Sequence, residues 1–173
     1  AIALARNVRP GDALVRSGQF KGWRPSLYGT GLTGATVAVV GLGQVGCAII
    51  QRLAGFGCAR VIGVDPSQPL PGVDAFSLEE ALAQADFVFL AAPLTDSSLH
   101  LLNAETLKHC QRGPFLINVG RGSVVDEEAI ADALETGLLA GYAADVFACE
   151  DWGLPSRPER ISERLLNSAN TLL

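Results

Sequence analysis

Three spaced glycines and one aspartate carry the clearest chemistry in this sequence. Residues 37–40 form an apolar run that leads directly into a G-x-G-x-x-G turn. Gly41 lets the chain leave a strand sharply, Gly43 lets the backbone approach a pyrophosphate, and Gly46 lets the next helix pack close to the sheet. Asp65 follows Gly46 by nineteen residues, about the distance at which an acidic side chain meets the ribose hydroxyls of a dinucleotide. The sequence therefore predicts a dinucleotide site rather than a purely structural turn.

Asp65 also distinguishes between two dinucleotides. Its carboxylate accepts hydrogen bonds from a free 2′,3′-diol and repels a 2′-phosphate, and residues 66–68 offer no guanidinium to offset that repulsion. The pyrophosphate is expected on the N–H groups of the helix that starts near Gln44 and Val45. We therefore predict NAD as the cofactor. The alternative is that Asp65 only caps the turn before Pro66.

Further candidates follow the later apolar runs, because a parallel sheet binds its ligands beyond the carboxyl ends of its strands. Residues 92–95 follow the third run, residues 118–123 the fourth, and residues 145–150 the fifth. Arg121 lies between two glycines on a tight loop, which favours anion recognition over a solvated surface role. Pro93 has no N–H and suits a loop under a cofactor ring, or simply a turn.

Predicted strands and helices alternate along the chain. The strands lie at 36–40, 60–64, 86–90, 114–118 and 140–146, and the helices at 44–55, 78–84, 104–109 and 127–136. The N-caps Ser77 and Asp126 and the C-cap Gly137 support two of these helices. Because the strands are almost wholly apolar, both faces of the sheet are expected to be covered. We predict an α/β fold with a doubly wound parallel sheet of the Rossmann type.

Composition excludes several classes of function. With 173 residues, 49% apolar content and 18% charge, the chain suits one compact domain. A net charge of −5 and the lack of a basic cluster argue against nucleic acid as a partner, and no apolar run is long enough for a membrane span. The four cysteines show no C-x-x-C spacing, so we expect no metal and reduced thiols in a cytoplasmic protein.

Four motifs in order resemble one known family. They are Gly41-Leu-Gly-Gln-Val-Gly46, Pro93-Leu-Thr95, Asn118-Val-Gly-Arg-Gly-Ser-Val-Val-Asp126 and Asp145-Val-Phe-Ala-Cys-Glu150. Together they resemble the D-isomer-specific 2-hydroxyacid dehydrogenases. Residues 18–34 and 150–158 further resemble the phosphite (phosphonate) dehydrogenase branch of that family, in which the glutamate is followed by Asp-Trp where other members usually have proline. Here these residues are Asp151 and Trp152.

The resemblance implies roles for individual residues. Arg121 corresponds to the catalytic arginine that holds the substrate's oxyanion, Glu150 to the acidic partner of a catalytic histidine, and Asp145 to the residue that holds the nicotinamide carboxamide. The other residues implied to line the cofactor are Ala92, Pro93, Leu94, Thr95, Val119 and Gly120. A guanidinium fork suits a phosphite or a carboxylate, and a carboxylate beside a histidine fixes its tautomer.

The resemblance covers the nucleotide domain and little else. Neither His100 nor His109 corresponds to the family's histidine, and the lysine of the phosphite branch has no counterpart here. We therefore expect a fragment that binds NAD without turning over substrate. Residues 1–28 are expected to be a helical segment and connector, residues 29–150 the NAD-binding domain, and residues 151–173 a truncated segment leading back toward a substrate domain.

Three functions remain open for the intact protein. The first is NAD-dependent oxidation of phosphite to phosphate by hydride transfer. The second is a D-2-hydroxyacid dehydrogenase such as a glyoxylate or hydroxypyruvate reductase, because Arg121 holds a carboxylate equally well. The third is a non-enzymatic, NAD-sensing module of the corepressor kind. The first two share a small anionic substrate as the partner.

The N-terminal residues are expected to form a subunit interface. An apolar helix over residues 1–7 and a second helix from Pro10 to Gly18 precede a connector that contains Trp23 and Tyr28. The connector is too short to bury Trp23, Arg24 and Tyr28 together, and the resemblance implies a dimer, since related dehydrogenases are dimers built around this region. We predict a homodimer in which Trp23 and Tyr28 approach a substrate site. The alternative is that they only pack in the interface.

Overall fold

One parallel sheet organises the chain. The computed structural model describes residues 1–22, 27–67 and 70–173. The strands in these ranges are β1 (Thr36–Val40), β2 (Arg60–Val64), β3 (Asp74–Ala75), β4 (Phe87–Leu90), β5 (Phe115–Asn118), β6 (Gly141–Ala144) and β7 (Thr171–Leu172). They pair in the order β3-β2-β1-β4-β5-β6-β7, and every pairing is parallel. The chain order changes direction between β1 and β4, so the predicted doubly wound α/β sheet is confirmed.

Helices connect the strands. They are α1 (Ile2–Ala5), α2 (Val8–Arg16), α3 (Gln44–Leu53), α4 (Leu78–Gln84), α5 (Ala104–Leu107), α6 (Glu127–Glu135) and α7 (Glu163–Asn167). Single 3-10 turns span Ala54–Phe56, Gly122–Val124 and Ala148–Glu150. The predicted caps are present, because Ser77 and Asp126 accept backbone N–H groups at the starts of α4 and α6 and Gly137 has a φ of 75° just beyond α6.

The two faces of the sheet bury separate apolar clusters. Val37 and Val39 of β1 point into one cluster, with Leu53 of α3, and Ala38 and Val40 point into the other. Helices α4, α5 and α6 contribute to the second cluster. Successive side chains of β1 point to opposite faces of the sheet, and both faces are covered. Residues 37–40 are therefore all buried.

Some predicted boundaries are wrong. The strand predicted over residues 140–146 ends at Ala144, because the chain leaves the sheet at Asp145 before the 3-10 turn Ala148–Glu150. The helix predicted over residues 44–55 ends at Leu53 and continues only as a 3-10 turn. In the described part of the chain, no helix has the length and apolarity that crossing a bilayer requires.

The N-terminal helices differ in how they pack. Helix α1 contacts β6 and β7, and its Ala5 is buried. Helix α2 has no buried residue; Pro10 lies in its first turn, and Gly18 follows it with a φ of 71°. The predicted contribution of Trp23 lies outside the described residues.

Candidate functional site

The glycine turn after β1 is shaped by its surroundings. Gly41 has a φ of 89°, and a Cβ there would lie 2.6 Å from the backbone nitrogen of Ala92. A Cβ on Gly46 would collide with the carbonyl oxygen of Gly41. A Cβ on Gly43, in contrast, would meet no atom within 4 Å. Two of the glycines are thus required by packing, and the third leaves room beside its own backbone.

That room lies at the start of α3. Gly43 is the N-cap of the helix and no side chain caps it. Gln44 and Val45 are exposed in the first turn, Val45 by 53%. Uncapped N–H groups and the positive end of the helix dipole favour an anion at this point. The residues present therefore fit the pyrophosphate of a dinucleotide.

Asp65 links the end of β2 to the glycine turn. Its Oδ2 accepts the backbone N–H of Leu42 (2.8 Å), and its Oδ1 accepts the backbone N–H (2.9 Å) and the hydroxyl (3.0 Å) of Ser67. The turn-capping alternative for Asp65 is therefore present in the structure. The carboxylate is half-buried at the carboxyl edge, where the sequence places the ribose.

The loop after β4 presents the predicted residues in different ways. Ala92 is buried, Pro93 and Thr95 are exposed, and Leu94 is half-buried. Ser98 holds this loop: its hydroxyl donates to the carbonyl oxygen of Pro93 (2.6 Å) and accepts the N–H of Thr95 (2.8 Å). Sequence reasoning missed Ser98, because its partners are set by the loop geometry rather than by any spacing.

The loop after β5 is fixed by a buried amide. Asn118 is 0% exposed; its Nδ2 donates to the carbonyl oxygen of Arg121 (3.0 Å), and its Oδ1 accepts the N–H of Gly120 (3.1 Å). Burial raises the pKa of the neighbouring Tyr142 phenol. Arg121 itself is exposed, with one guanidinium N–H bonded to the carbonyl oxygen of Gly120 (2.8 Å). A single polar residue, Asn118, at the end of an apolar strand is the sequence signal that could have predicted these two hydrogen bonds to the loop.

The loop after β6 carries two exposed carboxylates. Asp145 directly follows the strand, and Glu150 closes a 3-10 turn by accepting the N–H of Phe147 (2.8 Å) at its Oε2. This turn is anchored to α6, because Glu127 accepts the N–H of Ala148 (3.0 Å). The Glu150 carboxylate is therefore held by a backbone N–H of its own turn.

These loops meet at one edge of the sheet. Gly41 and Gly120 both pack against the backbone of Ala92, so that the loops after β1, β4 and β5 touch. Gly122 packs so closely against Phe147 that a Cβ would collide with it, which joins the loops after β5 and β6. The loops that carry the predicted cofactor and catalytic residues thus meet at the carboxyl edge of the sheet and form one surface there.

Comparison with known proteins shows which family this domain resembles. The family described as "D-isomer specific 2-hydroxyacid dehydrogenase, NAD binding domain" matches residues 1–173. The chain belongs to this family. NAD is accordingly the cofactor of the domain, as the glycine turn and Asp65 predict.

Individual relatives agree with the family. The chain is 41% identical over 165 residues to D-3-phosphoglycerate dehydrogenase 2, chloroplastic, from Arabidopsis thaliana, covering 92% of this chain and 25% of that protein. It is 37% identical over 160 residues to glyoxylate reductase from Thermococcus onnurineus, covering 87% and 48%. The solved TT0316 protein from Thermus thermophilus superposes with a TM-score of 0.86 at 39% identity, covering 99% and 52%. The chain spans about half or less of the length of these relatives.

Tyr28 lies apart from the carboxyl-edge surface of this NAD-binding domain. It is 80% exposed and lines a cleft of about 240 Å³ with Phe115 and Ala140, at the amino ends of β5 and β6. Within one chain the structure therefore does not bring Tyr28 together with Arg121, which follows the carboxyl end of β5. Its approach to a neighbouring subunit's site stays a prediction.

Both histidines are exposed, and their exclusion from the catalytic role stays a prediction. His100 is exposed, and its backbone N–H donates to the carbonyl oxygen of Ser123. His109 is exposed just after α5. Among the described residues, no cluster of histidine, cysteine and carboxylate side chains is arranged to hold a metal ion.

Proposed function

We propose that the whole protein is an NAD-dependent dehydrogenase of a small 2-hydroxy acid, working in the direction of a glyoxylate or hydroxypyruvate reductase. The observation that carries this proposal is the position of Arg121. Its exposed guanidinium sits on a loop that Asn118 clamps and that touches the glycine turn through Ala92. An anion held by Arg121 would therefore lie beside the cofactor surface. The names of the relatives, glyoxylate reductase and phosphoglycerate dehydrogenase, support this substrate class.

Each side chain has a distinct task in this proposal. The glycine turn and the start of α3 hold the pyrophosphate, and Asp65 accepts the ribose hydroxyls and discriminates against NADP. Arg121 binds the substrate carboxylate with two parallel N–H groups. Glu150 orients a histidine that neither His100 nor His109 provides, and Asp145 holds the nicotinamide carboxamide. NAD, when bound, supplies the hydride acceptor or, as NADH, the donor.

Phosphite oxidation is the second candidate, and a specific observation favours it. Asp151 follows Glu150, and the guanidinium of Arg157 stacks on Trp152 at 3.8 Å while donating to the carbonyl oxygen of Cys149 (3.0 Å). A second guanidinium beside the Glu150 turn suits an inorganic oxyanion. In this reaction the hydride leaves phosphorus for the nicotinamide, water supplies the new oxygen on phosphorus, and the proton goes to a base.

A substrate panel tests both candidates. The full-length protein is incubated with NADH and glyoxylate or hydroxypyruvate, and separately with NAD and phosphite. We expect rapid NADH oxidation with the 2-oxo acids. Phosphite-dependent NADH formation at a higher kcat/KM would select the second candidate. Tight NAD binding without turnover of any of these substrates would overturn both and favour a non-enzymatic NAD-sensing module.

We also propose that residues 1–28 form the interface of a homodimer. Helix α2 buries no residue, and Val8, Val15 and Phe20 are each more than half exposed. Isolated exposed apolar side chains are ordinary, but a helix with no buried side chain suits an interface. We expect Val15→Asp to produce monomers in sedimentation velocity, with Leu166→Asp, at an exposed leucine of α7, as the control. A wild-type monomer would overturn the interface.

The substrate role of the connector is a separate part of this proposal. If residues 23–28 approach the neighbouring subunit's site, Trp23→Ala raises the KM for substrate in a protein that is still dimeric. An unaltered KM in that dimer would remove the substrate role and leave Trp23 and Tyr28 as packing residues.

A further inference from the structure

Asp151 connects the two loops that carry the proposed catalytic side chains. Its Oδ2 accepts the backbone N–H of Ser123 at 2.7 Å, across twenty-eight residues of sequence. Ser123 is 2% exposed and belongs to the 3-10 turn Gly122–Val124, which begins directly after Arg121. Asp151 directly follows Glu150, at the end of the other 3-10 turn.

Other contacts also hold the Arg121 loop, and one of them, the packing of Gly122 against Phe147, joins it to the turn that ends at Glu150. Asn118 binds the carbonyl oxygen of Arg121, which fixes the start of the loop to the end of β5. Beyond Arg121, the carbonyl oxygen of Ser123 accepts the N–H of His100, which belongs to the segment after β4. The hydrogen bond from Ser123 to Asp151 therefore supplies a directional contact from the Arg121 loop to the turn that ends at Glu150.

We propose that Asp151 is a positioning residue that fixes Arg121 relative to Glu150 through the Ser123 backbone. A charge-assisted hydrogen bond to a buried N–H is short and roughly twice as strong as a neutral one. It holds the guanidinium of Arg121 in the orientation that receives a planar anion, so the substrate meets a preformed site. This inference rests on the proposed role of Arg121 as the anion holder.

The chain offers matched variants for the test. Asp151→Ala removes the acceptor, whereas Asp151→Asn keeps an oxygen acceptor and removes the charge. Asp96→Ala is the control, because Asp96 lines the same cleft of about 370 Å³ as Glu150 and Asp151 and carries the same charge. None of the side-chain hydrogen bonds found among the described residues involves Asp96.

Kinetics of the full-length protein give the first readout. We expect Asp151→Ala to raise the KM for the acid roughly tenfold without changing the affinity for NAD. Asp151→Asn should recover most of that loss, and Asp96→Ala should leave the KM unchanged. Because Asp151 acts through Arg121, adding Asp151→Ala to Arg121→Ala should cost nothing further. An unchanged KM in Asp151→Ala, equal losses in the alanine and asparagine variants, or additive losses would overturn the proposal.

Two measurements do not depend on turnover. Hydrogen exchange at the Ser123 amide should accelerate in Asp151→Ala and remain slow in Asp151→Asn. Calorimetric binding of oxalate to the NAD-bound protein should weaken in Asp151→Ala alone. If the wild type neither turns over an acid nor binds oxalate, the proposed function fails, and the Ser123 exchange decides whether Asp151 fixes the loop. Unchanged exchange in Asp151→Ala would overturn the inference whatever the activity.

Discussion

Asp65 supports the glycine turn at the position where we propose that it also contacts the ribose. Its carboxylate holds the N–H of Leu42 in the glycine turn and the N–H and hydroxyl of Ser67 beyond β2. A substitution at Asp65 therefore changes the turn as well as any contact with the ribose. The asparagine variant separates these effects, because it retains an acceptor for Leu42 but loses the negative charge.

We predict that Asp65→Ala weakens NAD binding roughly tenfold, because a charged acceptor for the ribose diol is lost. Asp65→Asn should weaken NAD less and should improve binding of NADP relative to NAD, since the repulsion of a 2′-phosphate disappears. Calorimetric titration with both dinucleotides measures this. Asp86→Ala is the control, because Asp86 accepts the N–H of Thr36 (2.8 Å) at the opposite edge of the sheet. An NAD/NADP ratio that stays constant in both Asp65 variants would contradict the assignment.

We predict that Arg121→Ala in the full-length protein raises the KM for the acid and lowers kcat, because the bidentate contact acts in both the ground state and the transition state. Arg121→Lys should restore little, since an ammonium cannot form the planar fork. Steady-state kinetics measure both constants. Arg52→Ala serves as the control, because this exposed arginine bonds only a carbonyl oxygen of its own helix among the described contacts. Wild-type kinetics for Arg121→Ala would exclude it from the site.

The sequence points to candidate ligand-binding residues more readily than to the residues that support them. Arg121 stands out because it lies between two glycines after an apolar run. Ser98 and Asp151 show no such pattern, because each acts on a backbone N–H whose position depends on loop geometry. Supporting side chains of this kind require the fold before their partners can be named.

Among the elements, those that the sequence predicts with the observed bounds carry local signals, and those that it misses do not. Strands β1 and β2 and helix α4 have the predicted bounds, because apolar runs and a capping box mark them. Strands β3 and β7 contain two residues each and helix α7 five, too few to show a period. Helix α7 is held instead by Arg164, which pairs with Glu128, Asp132 and Glu135 of α6. These long-range ion pairs leave no local pattern.

We predict that Gly46→Ala destabilises the junction between β1 and α3, because the added Cβ would collide with the carbonyl oxygen of Gly41. The backbone must shift, at a cost of about 1 to 3 kcal/mol. Urea unfolding measures the loss. Gly55→Ala is the control, since a Cβ there meets no atom within 4 Å, and it should be neutral or slightly stabilising. Equal stabilities for the two variants would show that Gly46 is not required by packing.

Two side chains that can lose a proton at high pH, the Cys110 thiol and the Tyr142 phenol, are buried in the face of the sheet that α4, α5 and α6 cover. Burial raises the pKa of the Cys110 thiol from 9.0 to about 11, and burial also raises the pKa of the Tyr142 phenol. Both groups stay protonated in the folded chain at a pH where the unfolded chain has begun to release their protons. The stabilising contribution is therefore complete below about pH 9 and is lost as the pH rises toward 11.

We predict that the free energy of unfolding falls between pH 9 and pH 11, with Cys110 contributing up to about 1.4 kcal/mol for each pH unit. Cys110→Ala should flatten this slope relative to the wild type. Urea titrations at a series of pH values measure both slopes. A slope unaffected by Cys110→Ala would show that the buried thiol is not coupled to folding.

The doubly wound parallel sheet and the clustering of loops at its carboxyl edge follow from apolar runs, glycines and the alternation of strands and helices, which is why the sequence predicts this much of the molecule. The packing at the amino ends of the strands is harder to predict from the sequence. The packing of α1 on β6 and β7 depends on contacts between the ends of the chain, and local patterns carry no record of such contacts.

The most direct test of the NAD site is a calorimetric titration of NAD into the wild-type chain and into the Gly43→Ala variant. We propose that the pyrophosphate lies in the space beside Gly43, where a Cβ meets no protein atom within 4 Å, so the added methyl should leave the melting temperature unchanged and weaken NAD binding at least tenfold. A Gly43→Ala chain with wild-type stability and wild-type NAD affinity would contradict this position of the pyrophosphate.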